Sequence, residues 1–165
     1  MNSGIGSHTL PNDGGSNDWI TPEFILDALG EFDLDPCACI TQPWDTAKVM
    51  WCDGGLDWDW FGRVWMNPPY GKVTGAWLQK LSEYGNGIAL IFARTETVMF
   101  QRYVWKRADA LFFFDGRLFF HRPSGERGKT NAGGPSVLVA YGDNNVESLR
   151  NSGLRGALVE GWSNI

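Results

Sequence analysis

The segment Arg63-Val64-Trp65-Met66 reads as a buried strand, and it runs directly into Asn67-Pro68-Pro69-Tyr70-Gly71. That junction constrains the fold more than any other feature of the chain. Consecutive prolines fix φ and remove two backbone donors, and they hold the preceding Asn67 in an extended conformation. Carbonyl oxygens are left as acceptors facing a cavity. In open α/β sheets ligands bind beyond the carboxyl ends of the strands, which is where this tetrapeptide falls.

The flanking sequence supplies the rest of such a sheet. Thr21-Pro22 reads as a helix start, with a hydroxyl able to cap free amides and a proline at the first helical position; Phe24, Ile25, Ala28 and Leu29 follow at helical spacing. Phe32-Asp33-Leu34-Asp35 alternates apolar and acidic residues and predicts a short strand ending at Asp35-Pro36. Beyond the tetrapeptide, Trp77, Leu78 and Leu81 predict a helix from Thr74, closed by Gly85. Further strands are expected at Ile88 to Ala93, Ala110 to Phe114, Leu118 to His121 and Val137 to Tyr141, with a helix at Val98 to Lys106. Arg122 to Pro135 is a polar, Gly-rich loop whose glycines predict mobility before a ligand arrives. This alternation predicts an α/β sandwich with a mostly parallel sheet and an antiparallel pair near the C-terminus. The nine tryptophans are expected mostly in the core.

A chain of 165 residues, 43% of them hydrophobic, suffices for one core and not for two ordinary domains. We expect a flexible arm over 1–17, rich in Gly, Ser and Asn and carrying His8, and a single domain over 18–165. No apolar run approaches the ~18 residues of a membrane span, and the start lacks a signal-peptide pattern, so a cytoplasmic protein is expected. Cys37, Cys39 and Cys52 make an odd count without a second Cys/His pair. Neither disulfides nor a metal is therefore indicated.

The net charge of −5 argues at first against a nucleic-acid partner, but its distribution matters more than its sum. Residues 1–60 hold eleven acids and one base, whereas residues 94–130 hold eight bases and four acids. Any phosphate path should therefore run over Arg94, Arg117, Arg122, Arg127 and Lys129. The bland alternative is an ordinary solvated surface, with Arg94 and Arg117 serving as structural partners of the acidic half.

The tetrapeptide suits a planar amino group. Such a nitrogen has its lone pair delocalised into the ring and is a poor nucleophile. Hydrogen bonds from its two N–H groups to the Asn67 side-chain oxygen and the Pro68 carbonyl favour a tetrahedral nitrogen and stabilise the charge that develops as a methyl group arrives. Tyr70 can lie flat against a base, a contact worth about 1–3 kcal/mol. The competing reading is a strand-terminating turn in which Tyr70 merely packs.

Five segments together resemble the phage and prophage DNA N6-adenine methyltransferases, the phage Dam family: Asp18-Trp19-Ile20-Thr21-Pro22, Phe32-Asp33-Leu34-Asp35-Pro36-Cys37-Ala38, Trp65-Met66-Asn67-Pro68-Pro69-Tyr70-Gly71, Arg94-Thr95-Glu96-Thr97 and Gly116-Arg117-Leu118-Phe119-Phe120. The resemblance covers roughly Asp18 to Gly142. It implies a Rossmann-like methyltransferase fold, S-adenosylmethionine as donor, DNA as partner, and the bacterial host cytoplasm if the protein is phage-encoded. It further implies that Asn67, Pro68, Pro69 and Tyr70 are catalytic. Trp19, Thr21 and Pro22 look like the first cofactor element, Asp35 with Pro36 like the acidic strand end that receives the methionine ammonium, and Asp53-Gly54 like the later acidic cofactor element. Asn67 joins both sites. No Gly-x-Gly follows Asp35-Pro36, so the turn around the cofactor differs from the usual pattern. Asp35 as a strand terminator and Asp53 as a turn former are the plainer readings. His121 is expected at a polar rim, and Trp19 is expected to cover a ring.

Two rivals remain at this level. The same tetrapeptide occurs in methyltransferases of RNA and of protein glutamine, and an acidic face on an intact methyltransferase fold would also suit a catalytically silent, DNA-mimicking binder.

Overall fold

The computed structural model describes residues 19–164, so the arm over 1–17, His8 and Asp18 lie outside the described residues. The chain is built around one seven-stranded sheet. Its strands are β1 (Leu34–Asp35), β2 (Val49–Met50), β3 (Val64–Met66), β4 (Gly87–Phe92), β5 (Ala110–Phe114), β6 (Ser136–Tyr141) and β7 (Gly156–Glu160), in the spatial order β2-β1-β3-β4-β6-β5-β7. Among the described residues three α-helices accompany it: α1 (Glu23–Leu29), α2 (Thr74–Tyr84) and α3 (Asp143–Asn151). A π-helical segment, Phe100–Trp105, stands where a helix over Val98 to Lys106 is expected.

Alternation along β3 separates two layers of core. Trp65 packs on one face with Ile25, Leu26 and Leu29 of α1 and Val146 and Leu149 of α3. Val64 and Met66 point to the other, with Trp77, Leu78 and Leu81 of α2 and Phe100 and Val104 of the π-helical segment. Strands covered on both faces read as continuous apolar runs, and β4, Gly-Ile-Ala-Leu-Ile-Phe, is buried at all six positions. Helix α2 ends as its sequence predicts: Gly85 adopts φ 79° and its N–H reaches the Leu81 carbonyl.

The expectation of a mostly parallel sheet is corrected. The sheet is mixed: β1 pairs parallel with β2 and β3, and β3 with β4, but the longer β4–β6, β5–β6 and β5–β7 ladders are antiparallel. The reason lies in the connection into β6. A parallel neighbour requires a crossover, usually helical, whereas the stretch between Phe114 and Ser136 contains no helix, so β6 enters from the end at which β5 leaves. Two antiparallel steps restore direction, and β5 therefore runs in the same sense as β1 to β4.

Four local expectations also change. Leu118 to Phe120 form no strand; this stretch is tied by isolated bridges at His121, to Ile20 and Arg127, and by single backbone bonds to the loop that follows. The Thr21 hydroxyl does not cap α1, whose N-cap position is Pro22, because Thr21 is held by another partner described below. Strands β2 and β7 and helix α3 were not anticipated: β2 is only two residues long, and β7 is an edge strand with exposed and half-buried residues only. Of the nine tryptophans, only Trp60, Trp65 and Trp77 are buried; the others cover the core from its margins or line loops.

Candidate active site

Because β1, β3 and β4 are parallel neighbours, their carboxyl ends share one edge of the sheet. A cavity of about 1020 Å³ opens there. Pro36 to Ile40 after β1 and Cys52 to Gly55 after β2 form one side. Asn67 to Lys72 after β3 cross the middle. Phe92 at the end of β4 and Arg94, Thr97 and Met99 after it form the other side, and Thr74, Trp77 and Trp19 complete the wall. This volume is at the upper end of the range for a single small-molecule site. A second, shallower hollow of about 500 Å³ between α1 and α3 surrounds Arg63, whose guanidinium is tied to the Leu29 and Glu31 carbonyls and to Asn145.

At the centre, Asn67 is held in one orientation. Its Nδ2 donates to the Trp19 carbonyl (2.9 Å) and to the Thr21 hydroxyl oxygen (3.3 Å). With both amide hydrogens engaged, the other end of the amide, Oδ1, is an acceptor on the side of Tyr70, whose hydroxyl approaches it at 3.5 Å. The strap carrying Trp19 and Thr21 is itself pinned, as Trp44 Nε1 donates to the Thr21 carbonyl (3.0 Å) and Ile20 exchanges backbone hydrogen bonds with His121.

Pro68 is buried and Pro69 exposed. The Pro69 carbonyl accepts from the Thr74 hydroxyl (2.7 Å), which joins the tetrapeptide to the start of α2; no donor among the described residues meets the Pro68 carbonyl. The Tyr70 ring stacks on Phe92 (4.6 Å between centroids, 29°) and meets Phe120 edge-on. Burial pushes its phenol well above the ordinary tyrosine range, so the hydroxyl stays neutral.

The residues expected to hold a cofactor divide into two groups. Trp19, Pro36, Asp53, Gly54 and Asn67 all line the cavity. Thr21, Pro22 and Asp35 lie outside its lining. Asp35 is 3% exposed and its oxygens accept from the Cys37 amide (3.0 Å) and, through a short contact, the Thr46 hydroxyl. It thereby shapes the turn that carries Pro36 and Cys37 into the wall. Burial pushes the Asp35 carboxyl up from the ordinary 3.8 to about 6, against the opposing hydrogen bonds from Thr46 and Cys37.

This shift makes a testable statement about stability. The folded chain holds the Asp35 proton more tightly than the unfolded chain, so the stabilisation is full below about pH 4 and is lost as pH rises through about 6. A shift of about two units corresponds to about 3 kcal/mol. Asp35→Asn, which keeps an acceptor for Cys37 and can donate to Thr46, is expected to remove this slope. Denaturant unfolding of both proteins between pH 4 and pH 7 measures it, and parallel curves would show that the carboxyl does not titrate in this window.

Of the cations assigned to a phosphate path, only Arg94 lines the cavity. Arg117 is exposed and reaches the Ala132 carbonyl at 3.4 Å, and exposed Arg127 lies over the Phe119 ring at 4.0 Å. Arg122 is half-buried, its amide bonded to the Glu126 carbonyl, and Lys129 is exposed. The loop bearing them folds back on the preceding segment through bonds from Gly128 to Phe120 and from Ala132 to Leu118. It also borders the cavity indirectly: a β-carbon at Gly128 would stand 3.6 Å from the Trp19 ring. His121 is half-buried, edge-on to Trp44, and its basicity is lowered by burial and by Arg127.

The cavity also contains residues that sequence reasoning passed over: Lys72, Thr97, Met99, Gly55 and all three cysteines. Thr97 was within reach, since it closes the Arg94-Thr95-Glu96-Thr97 segment. Lys72 follows the tetrapeptide by two residues and carried no separate signal. Among the described residues, no group of His, Cys, Asp and Glu could hold a metal ion, and no helix is long and apolar enough to cross a membrane. No family model, no curated protein and no solved structure matches the chain.

Proposed function

We propose that the protein transfers a methyl group from S-adenosylmethionine to the N6 amino group of adenine in DNA. The observation that carries this reading is the Asn67 amide: its hydrogens are engaged by Trp19 and Thr21, so its oxygen is fixed as an acceptor in the wall of a large cavity, next to an aromatic ring. A carboxylate substrate would need donors at this point, and a hydroxyl has only one hydrogen to donate. An exocyclic amine needs acceptors, and the Asn67 side chain and the Pro68 carbonyl offer them from adjacent residues.

The Rossmann-like reading of the fold is supported by the common sense of β1 to β5 and by the position of the cavity at their carboxyl edge. The residues fit a divided site. Pro36, Asp53 and Gly54 line the β1 side, where an adenosine-bearing cofactor would sit, and Arg94, Lys72 and Tyr70 lie towards the β4 side, where a flipped nucleotide would enter. S-adenosylmethionine supplies an electrophilic methyl group on a sulfonium sulfur. The chain's own contribution is to accept the two amine protons' hydrogen bonds, to hold the base against Tyr70, and to offset the positive charge that grows on nitrogen. The nitrogen gains a carbon, loses one proton to water, and needs no strong base.

Labelled S-adenosylmethionine incubated with separate pools of DNA, RNA and protein, followed by mass spectrometry of the product, is the direct test. N6-methyladenine in DNA is expected. Label in RNA or in glutamine would transfer the assignment to another methyltransferase class, and no label in any pool would favour a silent binder.

Two variants probe the substrate side. Tyr70→Ala is expected to weaken DNA binding by about ten-fold or more, on the scale of one lost base stack, whereas Tyr70→Phe should be tolerated because the ring face is kept and the hydroxyl makes only a long contact, 3.5 Å, to Asn67 Oδ1. If Phe proved as harmful as Ala, the hydroxyl and not the ring face would be the working group. Arg127 and Lys129 changed together to alanine should weaken DNA binding across sequences and lower the log–log salt slope by about two while sparing cofactor affinity. An unchanged slope would remove this loop from the DNA path.

A further inference from the structure

We propose that Cys39 and Cys52 are an oxidation site, a dithiol in the cavity wall that hydrogen peroxide converts into an intramolecular disulfide. All three cysteines of the chain line the same cavity, yet only this pair is placed to react. The parallel β1–β2 ladder continues past its last register pair, Asp35 with Met50, because Trp51 N–H donates to the Asp35 carbonyl (2.8 Å). A regular ladder would next bond the Cys37 amide to the Trp51 carbonyl. Instead the Cys37 amide turns to the Asp35 carboxylate (3.0 Å), and Ala38 N–H takes the Trp51 carbonyl (2.9 Å). This slip of one residue sets Ala38 opposite Cys52 and leaves Cys39, the next residue, within reach of the Cys52 side chain.

The Cys52 thiol already points across the gap, with Sγ 3.5 Å from the Cys39 carbonyl oxygen. Cys52 is exposed, so peroxide reaches it without local opening. Cys37 stands apart: burial and the nearby Asp35 push its thiol well above the ordinary range, which holds it as the unreactive thiol form.

The chemistry balances with peroxide as oxidant. The Cys52 thiolate attacks a peroxide oxygen, the O–O bond breaks and hydroxide leaves, giving a sulfenic acid. The Cys39 thiolate then displaces that oxygen as hydroxide and the S–S bond forms. Two thiols are oxidised and one peroxide becomes two waters. The bond would staple the turn carrying Ile40, which is 86% exposed at the cavity rim, to the loop after β2.

Peroxide treatment of the full chain, alkylation with N-ethylmaleimide and tryptic mapping without reductant tests the pair independently of any methyl transfer. Cleavage after Lys48 and Arg63 separates Cys37 and Cys39 from Cys52. A cross-linked peptide pair two hydrogens lighter than its sum, split by dithiothreitol, is expected. Tandem fragmentation should place the bond on Cys39 and the alkyl group on Cys37. Cys39→Ser should abolish the cross-link and Cys37→Ser should keep it. The proposal is overturned by a bond on Cys37, by Cys52 proceeding to sulfinic acid while Cys39 remains alkylatable, or by a cross-link found only between two chains.

Discussion

Asn67→Ala is expected to lower methyl-transfer turnover about 100-fold or more, the scale for loss of one preorganised electrostatic partner, while the protein remains folded. The structure explains why so small a change should be so costly. The Asn67 amide cannot be replaced by water of equal order, because its orientation is set by the Trp19 carbonyl and the Thr21 hydroxyl, and these are held in turn by Trp44 and His121. A water in its place could turn either a donor or an acceptor to the amine. The loss should appear in kcat more than in the affinity for DNA, since the acceptor interacts most strongly with the charge that develops during transfer. Single-turnover kinetics with far-ultraviolet circular dichroism as a folding control is the measurement. A folded variant with undiminished turnover would remove Asn67 from the chemistry and with it the main support for the proposed reaction.

Gly55→Ala is expected to be the most disruptive single-methyl change at the site. A β-carbon at Gly55 would lie 1.9 Å from the Pro36 carbonyl oxygen and 3.0 Å from the Trp77 ring. The first contact is with backbone and cannot be relieved by a rotamer. Nor can Gly55 retreat easily, because its own carbonyl is bonded to Trp60 Nε1 at 2.6 Å and Trp60 is buried in a stack with Trp77. The loops after β1 and β2 must therefore separate. Overpacking of this kind costs about 3 kcal/mol, which for a chain of this size lowers the thermal midpoint by about 10 °C. The same displacement moves Pro36 and Asp53 out of the cavity wall, so affinity for S-adenosylmethionine should fall with the stability. Differential scanning calorimetry and isothermal titration test the two effects separately. An unchanged midpoint would mean that the loops are not in contact as described, and a lowered midpoint with intact affinity would dissociate this wall from the cofactor.

Legibility in the sequence varied with the range of the interactions involved. The elements that carry long apolar patterns, β4 and α2, were readable from their residues, and so was the turn at Gly85, because each depends on neighbours a few positions away. The junction of β3 with Asn67-Pro68-Pro69-Tyr70 was readable for the same reason: two prolines restrict their own backbone wherever they occur. Short or amphipathic pieces were not. Strand β2 is two residues paired with residues fifteen positions earlier, and β7 lacks a buried face to betray it. Thr21 shows the limit at a single residue. Its place before Pro22 suggests a capping hydroxyl, yet the hydroxyl accepts from Asn67, forty-six positions away. Asp35 shows it again, since a strand-end acid was expected to face a ligand and its oxygens instead turn inward to Thr46 and Cys37.

The sequence by itself therefore determined where the chain must break from regular structure and offer acceptors, because proline geometry, glycine turns and apolar periodicity act locally. Tertiary structure alone decided the direction of β6, the orientation of the Asn67 amide, the contact between Gly55 and Pro36, and the meeting of Cys39 with Cys52. Each of these depends on which distant segment supplies a hydrogen-bond partner or occupies a space, and that is settled only when the sheet assembles.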